Sequence, residues 1–415
     1  MRVTRVSAAL LSAALLLGGS ATSSASPAEH WVATWAASPT ETPPSAPPPL
    51  VNATVRQVVH TSIAGSALRL RLTDEFGRQP LHLGQVHVAR RAGGGASTDI
   101  VPSTDRVVRF HGSRSTTVPA GTAQVSDPVE LPTRPNDDLV VSLYLPAPTP
   151  VATVHNGAHR DNAIAAGDVT GARSAGNARH FSSWYFLSGV STRTAAPRAH
   201  AVVAFGDSIT DGAHSTPSAD HRWPDFLARR VRGVGVVNAG ISGNRLLHDP
   251  NPRTPAQNSS VYYGRSGLHR FGRDVLAQPG ADRVVVLLGV NDLGQPGTSA
   301  PPSEAVSARQ IIDGYRQLIA RAHRAGKRII GGTITPFGGD TNGYDNPRNL
   351  ATWRAVNHWV RTSGAFDAVV DFDAAVRDPA RPDRMRPDFD SGDHLHPDDA
   401  GYRAMAAAVP ADLLR

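Results

Sequence analysis

The sequence predicts an α/β fold preceded by an all-β region, and three observations carry that prediction. Apolar runs separated by helix-like stretches fill the second half of the chain. Short alternating segments punctuated by Pro, Gly and Asp fill the first half. A change of rhythm falls at Ala195-Ala196-Pro197. A chain of 415 residues exceeds one ordinary core, so about two domains of 150 to 200 residues are expected.

The chain opens with Arg2 and Arg5 ahead of an apolar run from Ala8 to Leu17, then small residues from Ser23 to Ala28. That order is the pattern of a secretory signal. We therefore expect a signal peptide over 1–28, and the change of rhythm sets a β-rich domain over 29–196 and an α/β domain over 197–415. The apolar run is shorter than the roughly 20 residues of a membrane helix, so the mature protein is expected to be soluble, secreted and extracellular, without integral membrane association. Cys is absent, which excludes thiol catalysis and thiolate metal ligation. The formal charge of +7 is scattered, with Lys327 the single lysine, so a nucleic-acid surface is not expected.

Between Trp31 and Ser191 the period is that of strands. In Leu68-Arg69-Leu70-Arg71-Leu72 the leucines fall on one face and the arginines on the other, which predicts one buried and one wet face. Val86 to Val88, Val107 to Phe110 and Leu139 to Leu145 are comparable segments, giving a sandwich or jelly-roll-like domain. The Pro-rich stretch Pro39 to Pro49 reads as an irregular connection or tether.

After Pro197 the strand candidates are Ala201 to Phe205, Val234 to Val237, Val284 to Leu288, Arg328 to Ile334 and Ala368 to Val370. Ile311, Ile312, Tyr315, Leu318, Ile319 and Ala322 share one helical face. Strands alternating with helices predict a parallel sheet covered by helices on both faces. Ligands in such folds bind at the carboxyl ends of the strands, and that is where four polar islands fall.

Those islands are Gly206-Asp207-Ser208-Ile209, Asn238 to Asn244, Gly289-Val290-Asn291-Asp292 and Asp393-His394-Leu395-His396-Pro397. A serine hydroxyl is a weak nucleophile that needs a base and a group orienting that base; Ser208, His396 and Asp393 can fill those roles. The charge that develops on an attacked carbonyl oxygen needs donors, and the Ser208 amide, the Gly243 amide and the Asn291 side chain are candidates. Each fragment has a plainer reading. Gly-Asp-Ser after a strand is commonly a turn, Gly243 can serve a tight turn, Gly240 is a rival for its role, and Asn291-Asp292 can cap a helix. Their joint occurrence in this order favours ester hydrolysis.

From about Ala199 to Arg415 the chain resembles the SGNH hydrolase superfamily, the GDSL esterases and lipases, with Ile209 in place of the usual Leu. The resemblance implies a three-layer α/β/α fold and metal-free, cofactor-free cleavage of acyl esters through an acyl-enzyme. It assigns Ser208, Asp393 and His396 as catalytic residues and Ser208, Gly243 and Asn291 as the oxyanion hole. Trp31 to Trp35 and Ser183 to Phe186 resemble the β-rich extension of secreted bacterial members near the XynE-like branch. Those aromatics read either as core or as a sugar-binding surface. The expected partner is an ester substrate: a small acyl ester, an acylated carbohydrate or a lipid. Two rival readings remain at this stage. One is a metal-dependent hydrolase built on Asp393, His394, His396 and Asp398. The other is a non-catalytic carbohydrate-binding protein.

Overall fold

A computed structural model describes residues 29–43, 47–250 and 260–414. The expected signal segment lies outside the described residues. The first half is antiparallel throughout. One sheet has four strands in the order His30–Ala36, Leu187–Thr194, Leu68–Thr73 and Ala123–Val125; a second has six, in the order Arg179–Phe181, Asn162–Ala166, Ala53–His60, Asp138–Leu145, Val86–Arg90 and Arg106–Val107. Leu68, Leu70 and Leu72 of the first sheet and Val55, Val59, Leu139, Val141 and Leu143 of the second join one apolar cluster. Two sheets sharing one core make a sandwich.

Three expectations for this region need correction. The arginine face of Leu68–Thr73 is not wet: Arg69 and Arg71 are half-buried. The Arg69 guanidinium lies 4.3 Å from the centre of the Trp31 ring, and Arg71 donates to Ser188 Oγ at 3.0 Å. Long arginine stems can cover apolar surface and still find polar partners, so period-2 alternation marked the strand but not the solvent. The Pro-rich stretch is tied down at one end, because Thr40–Glu41 pairs with Thr153–Val154; residues 44–46 lie outside the described set. The segment expected over Val107 to Phe110 is a strand only at Arg106–Val107, with Phe110 in an isolated bridge to Ser113.

Of these aromatics Trp35, Trp184, Tyr185 and Phe186 resolve as core, while Trp31 is half-buried beneath Arg69. Trp35 and Trp184 are 7% and 2% exposed and meet edge to face at 5.0 Å. Trp184 Nε1 donates to Val58 O at 3.0 Å, which satisfies its one polar atom.

The second half is built on five parallel strands: β1 (His200–Gly206), β2 (Val234–Gly240), β3 (Ala281–Leu287), β4 (Arg328–Gly332) and β5 (Ala368–Val370), in the order β2-β1-β3-β4-β5. These strands are almost continuously apolar because helices cover both faces of a parallel sheet. The helices are α1 (Ser208–Asp211), α2 (Trp223–Arg230), α3 (Gly267–Phe271), α4 (Val290–Gly294), α5 (Ala308–Arg324), α6 (Pro347–Thr362), α7 (Phe372–Val376) and α8 (Asp399–Ala408). Helix α5 starts in a capping box, Ser307 with Gln310, and buries Ile311, Tyr315, Leu318, Ile319 and Ala322 while Ile312 stays half-covered. No helix among the described residues is long and apolar enough to cross a membrane.

The two halves are joined by an apolar seam and a polar one. Val32, Ala33, Ala36 and Ile63 belong to the core of the parallel-sheet half, and a Cβ on Gly235 of β2 would lie 2.2 Å from Ala33 O. At the polar seam His60 Nδ1 sits 2.7 Å from Asp138 and 3.4 Å from Asp220, and Arg160 pairs with Asp220.

Candidate active site

Strand register places the site. Gly206 at the end of β1 is level with Gly240 of β2 and Leu287 of β3, so the segments that follow all three strands emerge at one edge. Strand order reverses at β1, the place where parallel sheets open a crevice. The buried Arg270 guanidinium locks these ends together. It donates to Gly206 O at 2.7 Å, Ala239 O at 2.8 Å and Asn244 Oδ1 at 3.0 Å, with Asp274 balancing its charge at 3.0 Å.

Ser208 is the first residue of α1. Asp207 caps that helix by accepting from the Ile209 N–H at 3.1 Å. Burial pushes the Asp207 carboxyl up to about 7, with the Ile209 N–H offsetting part of the effect and the Asp292 charge adding to it. Burial likewise raises Asp292, although its oxygens accept from the Leu246 and Leu247 amides at 2.6 and 2.9 Å.

Ser208 Oγ lies 2.8 Å from His396 Nε2, and His396 Nδ1 lies 2.5 Å from Asp393 Oδ2. The carboxylate makes Nδ1 the donor, so Nε2 is the acceptor for the serine hydroxyl. Asp393 and His396 meet within one turn, in which Asp393 Oδ1 accepts from the Leu395 and His396 amides at 3.0 and 2.8 Å. Burial by itself would raise the Asp393 carboxyl. The hydrogen bond and charge of His396, with those amides, outweigh it and hold the group well below the usual carboxylate range. His394 turns away, its Nδ1 2.5 Å from Asp390 Oδ2.

The two glycines of the second island separate clearly. The Gly240 N–H is already bonded to Asn238 Oδ1 at 2.8 Å, and a Cβ there would fall 2.3 Å from the Asp211 amide nitrogen. Gly243 sits at φ +78° with the Tyr263 ring packed where a Cβ would be, and its N–H has no protein acceptor among the described residues. Its carbonyl accepts from Gln295 Nε2 at 2.7 Å. Asn291 is buried; Nδ2 donates to Asn244 O at 3.1 Å, and Oδ1 accepts from Tyr344 OH at 3.0 Å. An amide has two N–H bonds, which leaves one for a ligand.

The four residues of the metal reading do not converge. His394 is held by Asp390, and Asp398 caps α8 by accepting from the Gly401 N–H at 2.8 Å. Another set does come together: ligand atoms of His214, Asp393 and His396 lie within 4.8 Å of one another. Both ring nitrogens of His396 are already engaged by Ser208 and Asp393, so a cation there would have to displace one of them.

Sequence reasoning missed His214, whose Nε2 is 3.4 Å from Asp393 and whose ring packs 5.3 Å from that of His396. It also missed Tyr344, Gln295 and Arg270. Tyr344 falls between β4 and α6, where no residue pattern singles it out.

Comparison with known proteins places this site in context. Among solved structures, the chain is similar to an aryl esterase of M. smegmatis at 17% identity, covering 52% of this chain and 99% of that one with a TM-score of 0.40. It is similar to a carbohydrate acetylesterase from Sinorhizobium meliloti at 15% identity, covering 52% and 97% with a TM-score of 0.38. It is also similar to a GDSL-like lipase from Bacteroides thetaiotaomicron at 18% identity, covering 51% and 86% with a TM-score of 0.37. A search of curated proteins finds no match. Residues 204–404 match the model of the GDSL-like Lipase/Acylhydrolase family, a span that holds all four polar islands. The second half of the chain is therefore a GDSL-like lipase/acylhydrolase domain, and the protein is a carboxylic-ester hydrolase.

Proposed function

We propose that this protein is an exported serine esterase that cleaves short acyl or acetyl esters through an acyl-enzyme, with acylated plant polysaccharides among its substrates. The observation that carries the mechanism is the relay Ser208 Oγ, His396 Nε2, His396 Nδ1, Asp393 Oδ2, with spacings of 2.8 and 2.5 Å. His396 takes the proton from Ser208 as Oγ attacks the acyl carbon, and the imidazolium is stabilised by ionised Asp393. The Ser208 and Gly243 amides and the free Asn291 N–H receive the carbonyl oxygen as it becomes anionic. His396 then protonates the departing alcohol. Water, deprotonated by the same nitrogen, releases the acid.

Export rests on the charged-then-apolar leader at residues 1–17; the N-terminus of protein recovered from a culture medium checks it. For the chemistry, Ser208→Ala should abolish turnover of an aryl acetate and labelling by a fluorophosphonate, with the fold and melting temperature retained. Near-normal turnover by that variant would falsify the assignment. Activity should also be unaffected by a chelator, since His396 is already occupied on both sides by Ser208 and Asp393. A panel pairing aryl esters of increasing acyl length with acetylated xylan and pectin ranks the substrates.

A further inference from the structure

The antiparallel half reaches into the site by a route that the relay does not use. His155, on the strand Thr153–Asn156, is 4% exposed. Its Nδ1 lies 2.8 Å from Ser38 O and its Nε2 lies 3.0 Å from Asp211 Oδ1. Both neighbours are acceptors, so both ring nitrogens carry hydrogen when both bonds are made. Asp211, 1% exposed at the end of α1, uses its other oxygen to accept from the Ser242 N–H at 2.9 Å and the Ser242 hydroxyl at 2.7 Å. Ser242 is the residue before Gly243. Gly157, two residues after His155, lies against the same pair: a Cβ there would sit 3.7 Å from Asp211 Oδ2 and 4.0 Å from Ser242 Oγ.

We infer that His155 is a positioning residue for ester hydrolysis: through Asp211 and Ser242 it fixes the direction of the Gly243 N–H, so that the antiparallel half completes the oxyanion pocket. The inference rests on the reading of Gly243 as an oxyanion donor. The cluster is not a second nucleophile, because the Ser242 hydroxyl faces a carboxylate rather than an imidazole. Burial alone would raise the Asp211 carboxyl. The charge and hydrogen bond of His155 outweigh it and keep the group lowered, so it stays an acceptor for both Ser242 donors. An oxyanion donor acts through orientation fixed before the reaction begins; Gln295 holds the Gly243 peptide on its carbonyl side, and Asp211 holds the residue that precedes it.

The test uses the full chain, an aryl acetate and a fluorophosphonate, whose phosphoryl oxygen occupies the same pocket during attack by Ser208. His155→Gln is expected to lower kcat about 10-fold with KM unchanged and to slow phosphonylation by a similar factor. His60→Gln loosens the other polar seam and is expected to lower the melting temperature while leaving kcat and phosphonylation as they are. A folded His155→Gln protein with wild-type kcat and phosphonylation rate overturns the proposal, as does a loss confined to KM. If His155→Gln does not fold, Ser242→Ala decides: it leaves the His155–Asp211 pair intact and should still lower kcat and phosphonylation about 3-fold, and wild-type values for both overturn the proposal. The Ser208→Ala control separates the two levels, since a dead Ser208→Ala beside a normal His155→Gln leaves the esterase reading standing without this addition.

Discussion

The antiparallel and parallel halves bury polar groups for different ends. In the antiparallel half, Arg56 is fully buried and its guanidinium hydrogen-bonds the carbonyls of Thr98, Val169, Ala172 and Arg173. It closes a layer of loops over the outer face of the six-stranded sheet. In the parallel half, Arg270 is equally buried and bonds the carbonyls at the ends of β1 and β2, which sets the relative position of the islands carrying Ser208 and Gly243. The same residue type and the same device give stability in one half and site geometry in the other. Substitutions at the parallel strand ends should therefore affect rate, and those in the sandwich away from the His155–Asp211 contact should affect folding.

The largest separation is expected within the final island. His396→Ala removes the base and should lower kcat by about 10,000-fold or more. His394→Ala, two residues away and paired with Asp390 at 2.5 Å, should stay within a few-fold of wild type. Rates measured on an aryl acetate check both, and the reverse pattern would mean that the base has been misassigned.

A smaller effect concerns pH and sits at the end of β1. The Asp207 carboxyl titrates near 3.8 when unfolded and is pushed to about 7 by burial. Between those values the folded protein binds more protons than the unfolded one, so this group's contribution to stability falls as pH rises from about 4 to about 7. Asp207→Asn keeps an acceptor for the Ile209 N–H and removes the ionisation. It should gain stability over wild type across that window, by at most about 4 kcal/mol. Urea denaturation at pH 4, 5.5 and 7 reads the difference, and a gap that narrows with pH contradicts it.

The sandwich gives the counterpart. Arg56→Met removes a donor from all four carbonyls; Val169 O keeps the Ala172 N–H and Arg173 O keeps the Ile100 N–H, so the loss falls mainly on Thr98 and Ala172 and should destabilise the fold by about 2 to 3 kcal/mol. The folded fraction should keep its kcat, because the guanidinium's partners all lie on the outer face of the antiparallel half. A loss of kcat at unchanged stability would show that the two halves are more tightly coupled than the seams imply.

How much of this was legible in the sequence follows from the range of the interactions concerned. The parallel strands were readable because burial on both faces makes them continuous apolar runs; β5 falls at Ala368–Val370 as expected, and β2 runs three residues further than its apolar core. Asp393 and His396 were readable as neighbours because three residues and a turn suffice to bring them together. The half-burial of Arg71 was not, since its cover comes from Ser188 on a strand more than a hundred residues away. The same holds for His155 against Asp211 and for Tyr344 against Asn291. Each is a single side-chain contact between distant segments, and no period or spacing encodes it.

The smallest expected effect tests such a distant contact at the catalytic end. Asn291 is gripped from two sides: Nδ2 donates to Asn244 O, and Oδ1 accepts from Tyr344 OH. The first bond decides which way the amide faces, because a flipped amide would set its oxygen against the Asn244 carbonyl, and the second, from a hydroxyl, holds the amide against rotation. Tyr344→Phe keeps the ring, which packs where a Cβ on Gly294 would otherwise sit, and removes only the hydroxyl. We expect kcat to fall about 5-fold with KM unchanged, well short of the roughly 100-fold or greater loss for removing an oxyanion donor outright, which Asn291→Ala measures alongside. If Tyr344→Phe turns over at the wild-type rate, Asn244 alone orients the amide, and the loop carrying Tyr344 acts on the cleft only through its shape.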